Sequence, residues 1–335
     1  MKSLVDNSLK AIIGMIAFAT MLVLAPQRAS AQSLSAPILD KEMPVTEFNA
    51  VNASDDFEVT LSRGMYGVRL TVDKDLAPYV EVYVKSKTLY LSYNEKSVPK
   101  EIRKLYKGKK GLVPIFRVVA YTPEIQSVSL SDNAVFTSLD EFTTAQFELS
   151  ATGKSLVKNI SVNASSAKIS LRKNAMATVS LRTDRGVEAS LDNNANLKLT
   201  FTGNELAVNA DGSSVMVADG PCRSVNISSA GSSQVSLVSD TDKVDLSTEG
   251  SSKVSLSGKA LSMTVKGTRN STVDAFALPV EQVDANLSGN ANVSVSVSKL
   301  VSATLVGGSA LYYSGSPEFR INKIVKSTLA PYGTK

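Results

Sequence analysis

Val225-Asn226-Ile227-Ser228-Ser229-Ala230-Gly231-Ser232-Ser233-Gln234-Val235 is followed nineteen residues later by Val244-Asp245-Leu246-Ser247-Thr248-Glu249-Gly250-Ser251-Ser252-Lys253-Val254. In both phrases apolar side chains alternate with polar ones, the two-residue period of a half-buried strand. A glycine then tolerates the positive φ of a sharp corner, and a new alternation starts.

The phrase recurs along the chain. Copies begin at SLSDNAV (129–135) and continue through ISLRKNAM (169–176), ASLDNNANL (189–197), VKGTRNSTV (265–273) and ANLSGNANV (285–293) to TLVGGSAL (304–311). Corner residues are assigned to Asn133, Gly153, Asn174, Asn194, Gly212, Gly231, Gly250, Asn270, Asn290 and Gly308, at spacings of 20, 21, 20, 18, 19, 19, 20, 20 and 18. A fixed period of this length marks a solenoid, because one repeat cannot bury its apolar face alone. About twenty residues supply two or three short strands with corners, one coil of a β-helix. Ten coils at about 4.8 Å stack to roughly 45 Å. Aligned Ser, Thr and Asn at the corners are expected to form hydroxyl and amide ladders. The pairs Ser213-Ser214, Ser232-Ser233 and Ser251-Ser252 resemble a nucleophile array, but the sequence has no His to activate them.

Before the repeats, residues 44–126 keep the alternation with longer side chains. Phe57–Leu61, Gly67–Val72, Val80–Val84 and Thr88–Tyr93 read as four strands of an amino-terminal cap, protecting an edge that a solenoid otherwise leaves open. A basic interruption at 94–112 carries Lys96, Lys100, Arg103, Lys104, Lys107, Lys109 and Lys110 against Glu95 and Glu101. Residues 99–106 suit a short helix with Ile102, Leu105 and Tyr106 on one side. The bland account of this segment is a solvated loop. The functional account makes Lys100, Arg103, Lys104, Lys107, Lys109 and Lys110 ligand contacts for acidic glycans or anionic surfaces.

The first thirty-one residues read as a cleavable export signal. Lys2 and Lys10 precede an apolar run, Ala11–Leu24, and Ala29-Ser30-Ala31 offers small residues for cleavage. The run is shorter than the roughly 20 residues a spanning helix needs. Residues 32–43 read as a flexible linker, and 127–335 as the repeats with a carboxy-terminal cap. Removing the signal, with Lys2, Lys10 and Arg28 against Asp6, takes the net charge from +5 to +3, too little to imply nucleic acid. One Cys, Cys222, excludes an internal disulfide, and with His and Trp absent there is no nitrogen or sulfur cluster for a transition metal. No cofactor is expected.

Several phrases in their order resemble the auto-transporter adhesin head, or GIN, domain family. They are Phe48-Asn49-Ala50-Val51-Asn52-Ala53, the strand Gly67–Val72, Leu89-Tyr90-Leu91, Val118–Ile125, the Gly-Ser repeats and Gly308–Pro317. The resemblance implies a right-handed, single-stranded parallel β-helix in the periplasm, on the cell surface or outside the cell. It brings no catalytic residues. The chain differs from the family in its Asn corners and its basic interruption.

Three functions follow as expectations. The first is a non-enzymatic, adhesin-like module whose polar surface meets a glycan or a surface protein. The second is a polysaccharide lyase or hydrolase, by analogy of fold alone, using carboxylates among Asp184, Asp192, Asp211 and Asp245. The third is a structural protein whose terminal coils stack end to end as a homo-oligomer, unless the tail from Phe319 to Val325 caps the stack.

Overall fold

A computed structural model describes residues 37–107 and 111–333. The export signal and two of the basic candidates, Lys109 and Lys110, lie outside the described residues. The chain is almost entirely strand and winds into a β-solenoid of about eleven coils.

The period of the sequence becomes the register of the stack. On one wall Leu206, Val225, Val244, Met263, Val283 and Val301 lie one above another in parallel pairing. On a second wall Leu197, Met216, Val235, Val254, Val273, Val293 and Leu311 do the same. Every one of these side chains is buried. Alternation thus sends one column inward and the next outward, and the core is a single apolar seam along the solenoid axis. Between coils the corner backbone stacks directly: Ser232 N–H donates to Gly212 O at 2.6 Å, Ser251 N–H to Gly231 O at 2.7 Å and Asn270 N–H to Gly250 O at 2.9 Å.

The left-handed corner position is held by Asp132, Gly153, Lys173, Asn193, Gly212, Gly231, Gly250, Arg269, Gly289 and Gly307. Where the sequence suggested Asn133, Asn174, Asn194, Asn270, Asn290 and Gly308, the positive φ belongs to the preceding residue. The asparagines instead use their amides between coils. Asn194 Nδ2 donates to Asn174 Oδ1 at 3.1 Å, and Asn290 Nδ2 to Asn270 Oδ1 at 3.1 Å. The next residue turns inward, so each Ser-Ser pair is split: Ser213, Ser232 and Ser251 are exposed, while Ser214, Ser233 and Ser252 are wholly buried. They share that buried column with Ala134, Ala175, Ala195 and Ala291.

The amino-terminal region is wound out of chain order. Its elements are β1 (Ile38–Met43), β2 (Ala50–Ala53), β3 (Glu58–Arg63), β4 (Gly67–Asp73), β5 (Val80–Lys85), β6 (Thr88–Tyr93), α1 (Lys100–Leu105), β7 (Phe116–Thr122), β8 (Ser127–Leu130) and β9 (Val135–Ala151). The coil of β2 and β3 is sandwiched, in parallel register, between β6 with β7 on one side and β8 with the start of β9 on the other. Antiparallel strands then seal this end: β4 pairs with β7, β1 with β4, and β5 with β6. Val68, Leu70, Val72, Leu76 and Val98 are buried beneath them. Residues 38–43, read from the sequence as linker, are therefore the outermost strand of the seal. Ile102 and Tyr106 of the α1 region pack on the core, but Leu105 is exposed, because six residues of helix turn only one narrow stripe toward the end of the stack.

The other end is built differently. Glu318–Val325 pairs in parallel with residues 300–306, and Thr328–Pro331 with residues 310–313. Residues 318–331 thus form one more coil and not a cap: their inward-facing residues continue the core columns, and among the described residues no crossing element lies above them.

Candidate binding face

Outward residues of the first wall form two columns. One runs Ser129, Ser150, Ser170, Ser190, Asn209, Ser228 and Ser247, hydroxyl or amide in each of these coils, before Lys266 interrupts it. It continues toward the sealed end through Asn52 to Tyr90, which stacks on Tyr83 with ring centroids 5.1 Å apart. The neighbouring column alternates in charge through Glu148, Lys168 and Glu188. Lys168 Nζ lies 3.5 Å from Glu188 Oε1, both side chains about half exposed.

Two open grooves run along this wall, one beside the charged column and one over the serine column. The larger, about 740 Å³, follows the corner where each strand of the wall begins. Gln126, Gln146, Ser166, Arg185 and Glu205 stand on its rim, with Glu148, Lys168 and Glu188 beside them. Residues 156–173 shift register against 176–193 at this corner, between Ala164 and Ser166, which opens the angle between two sides of the coil. Gly186 sits where a Cβ would meet Glu205 O at 2.7 Å, so the coils close up there only because the side chain is absent. The second groove, about 470 Å³, follows the far end of the same strands and is lined by Ser170, Ser190, Asn209 and Ser228 with Arg172, Asp192 and Asp211.

The carboxylates named from the sequence have local partners. Asp211 Oδ1 accepts from Gly212 N–H at 2.6 Å, Asp192 Oδ2 accepts from Asn193 Nδ2 at 3.0 Å, and Asp245 pairs with Lys243 at 2.7 Å. Asp184 sits at a corner where its carbonyl takes a hydrogen bond from Asn204 Nδ2. Among the described residues, no group of three or more His, Cys, Asp or Glu could hold a metal ion. Cys222 is buried against Ser239, Sγ to Oγ 3.7 Å, and burial pushes its thiol pKa up.

The structure places the described basic candidates, Lys100, Arg103, Lys104 and Lys107, on the seal and outside the lining of both grooves. Lys100, Lys104 and Lys107 are exposed and Arg103 is half-buried. Nearby, Tyr106 Oη is buried without a hydrogen-bond partner. Burial, reinforced by the charges of Asp73 and Asp75, pushes its pKa up to about 12. The sequence reading named Asp192 and Asp211 of the second groove, as candidate catalytic carboxylates, but passed over the charged residues of the larger one. Glu148, Lys168 and Glu188 recur at intervals of twenty, a signal visible once the copies are aligned by the residues that point outward.

Fold and face together define an elongated β-solenoid with a sealed end, an open end and a flat polar wall edged by grooves. The chain belongs to the family described as putative auto-transporter adhesin, head GIN domain, whose model matches residues 47–186 and 223–317. The unmatched stretch, 187–222, contributes Glu188, Ser190, Asp192, Glu205, Asn209 and Asp211 to the two grooves. Among solved structures the chain is similar to a putative adhesin of Parabacteroides merdae. Identity is 17%, the TM-score 0.39, and coverage 89% of this chain and 97% of that one. It is also similar to a putative adhesin of Parabacteroides distasonis, at 18% identity and TM-score 0.38, covering 88% and 97%. A putative lipid binding protein of Parabacteroides distasonis matches at 13% identity and TM-score 0.36, covering 88% and 96%. No curated protein matches the chain. Among the described residues, no helix is long and apolar enough to cross a membrane.

Proposed function

We propose that the chain is an exported, non-enzymatic module of the cell envelope that holds an extended glycan along the serine wall. The observation that carries this reading is the groove lined by Ser170, Ser190, Asn209 and Ser228 on successive coils, with the larger groove beside it. Hydroxyl and amide groups repeating at about 4.8 Å offer a polyhydroxylated chain many weak hydrogen bonds in register. Tyr83 and Tyr90 add aromatic faces on the same wall, suited to the apolar face of a sugar ring. The alternation of Glu148, Lys168 and Glu188 favours a neutral or zwitterionic ligand over a polyanion. Membership of an adhesin-head family supports a place at the surface, as does the export signal read at residues 1–31.

A glycan array probed with the purified protein tests the reading. A bound glycan should lose at least tenfold in affinity to Ser190→Arg, which fills the groove that the serine column lines. It should be little affected by charge reversal at Lys100, Lys104 and Lys107 together. The converse result moves the contact to the basic segment, and an array without any binder removes the glycan reading altogether.

A further inference from the structure

Four outward positions on two successive coils form a square within the larger groove. Gly186 and Glu188 lie on one coil, and Glu205 and Ala207 pair with them in register on the next. The small residues take one diagonal and the carboxylates the other, which sets the Cβ atoms of the two acids on the order of 8 Å apart. No side chain can fill the gap from position 186, where a Cβ would meet Glu205 O at 2.7 Å. Charge within the lining does not cancel locally. Lys168, on the coil before Glu188, is engaged with it at 3.5 Å. Glu148 and Glu205 are exposed, and their carboxylates have no hydrogen bond or ion pair among the described residues; the other cation of the lining is Arg185. Beyond the lining, Arg223 and Asp242 follow Asn204 on successive corners and offset each other, while Glu124 and Asp184 add acid. Glu124 stands beside Gln126 of the rim, whose amide donates to it at 3.2 Å. The groove is thus acidic on a chain whose net charge is +5.

We infer that the larger groove selects glycans that carry free amino groups, with an ammonium seated between Glu188 and Glu205 above Gly186 and Ala207. The inference rests on the reading of this wall as a glycan site and names the class of sugar. A ligand laid over the square takes water away from Glu205. A ring hydroxyl answers that carboxylate with one neutral donor, whereas an ammonium brings three N–H donors and the opposite charge. Glu188 keeps a second oxygen for the same ammonium, since Lys168 approaches it at Oε1 from the opposite coil. An N-acetyl group has neither the charge nor the small size that the gap takes. Glu148 stands in the column of Glu188 two coils earlier, roughly 10 Å away, so an extended chain with an amine on each ring meets a second unpaired acid. Arg185, at the corner, takes ring or glycosidic oxygens as a donor. A glycan bearing carboxylates instead sets like charge against Glu148 and Glu205 and is disfavoured.

Calorimetric titration of the purified chain with three forms of one backbone tests this: a glucosamine oligomer with free amines, the same oligomer N-acetylated, and the same oligomer N-succinylated so that each ring carries a carboxylate. The free-amine form should bind about tenfold more tightly than the acetylated form, and the succinylated form most weakly. Combining Glu148→Gln with Glu205→Gln should bring the free-amine form down to the acetylated one. Affinity for the acetylated form should stay within about twofold, which shows that the variant is folded and the wall intact. Neutralising Glu81 and Glu101 on the seal should leave all three affinities as they were. Equal affinity for the amine and acetylated forms, a preference for the succinylated form, or an amine preference that survives the double substitution would each overturn the inference and leave the glycan reading standing. Binding to none of the three overturns it as well, and only a glycan array without any binder removes the reading on which it rests.

Discussion

The inward residue that follows each corner is alanine in some coils and serine in others, and the serines are not equivalent. Ser233 Oγ lies 2.7 Å from Ala230 O, 2.8 Å from Ser229 Oγ and 3.1 Å from Ala210 O. Ser214 and Ser252, as deeply buried, have no hydrogen-bond partner. A buried hydroxyl without a partner costs free energy, while removing a bonded one costs about 1 kcal/mol. Ser214→Ala and Ser252→Ala should therefore be neutral or stabilising by up to about 1 kcal/mol. Ser233→Ala should destabilise by about the same amount, all three compared in urea titrations. Destabilisation of similar size in all three would mean that the column is uniformly bonded. Residue identity let the corners be found but not placed to the residue. Asn is as good a left-handed residue as Gly is a common one, and nothing in the sequence tells that Asn174 and Asn194 spend their amides on each other while Lys173 and Asn193 take the positive φ.

At the scale of elements the period-2 alternation made the strands legible and left the seal obscure. Gly67–Asp73 and Val80–Lys85 were readable as strands; Val80–Lys85 pairs locally with Thr88–Tyr93 across the turn at Ser86 and Lys87, but the antiparallel pairing of Gly67–Asp73 with residues 38–43 and 116–121 depends on contacts far apart in sequence. Ile38–Met43 has two apolar residues at its start and one at its end, so no alternation announces its role. The serine wall was legible as a ladder, whereas the grooves arise from register shifts at a corner that no single repeat displays. The seal carries a pH-dependent term. Tyr106 titrates near the ordinary 10.0 in the unfolded chain and at about 12 when folded. Between those values the unfolded state has released a proton that the folded state retains, so stability falls as pH rises through that window. Tyr106→Phe removes both the buried hydroxyl and this dependence. The variant should melt higher than the parent, with the gap widening from pH 10 toward 12. An unchanged gap on thermal scans would show that the phenol is not what responds.

The whole molecule is close to one-dimensional, each coil touching its two neighbours, so local stability should follow position along the axis. Amides of Glu318–Val325, with a free edge and exposed side chains on the inner face, should exchange hydrogen fastest among the strands, and those of residues 206–265 slowest. Uniform protection along the stack would indicate all-or-none opening instead. The sandwiching of β2 and β3 adds a temporal consequence. Residues 50–63 are synthesised before both of their neighbours, 88–122 and 127–138. These two strands must wait for some seventy-five residues of chain beyond residue 63 before they are clasped from both sides. Once that clasp closes, growth becomes vectorial, each new turn finding its template already finished. Assembly is then slow to begin and quick to complete, and a chain interrupted early has nothing on which to build.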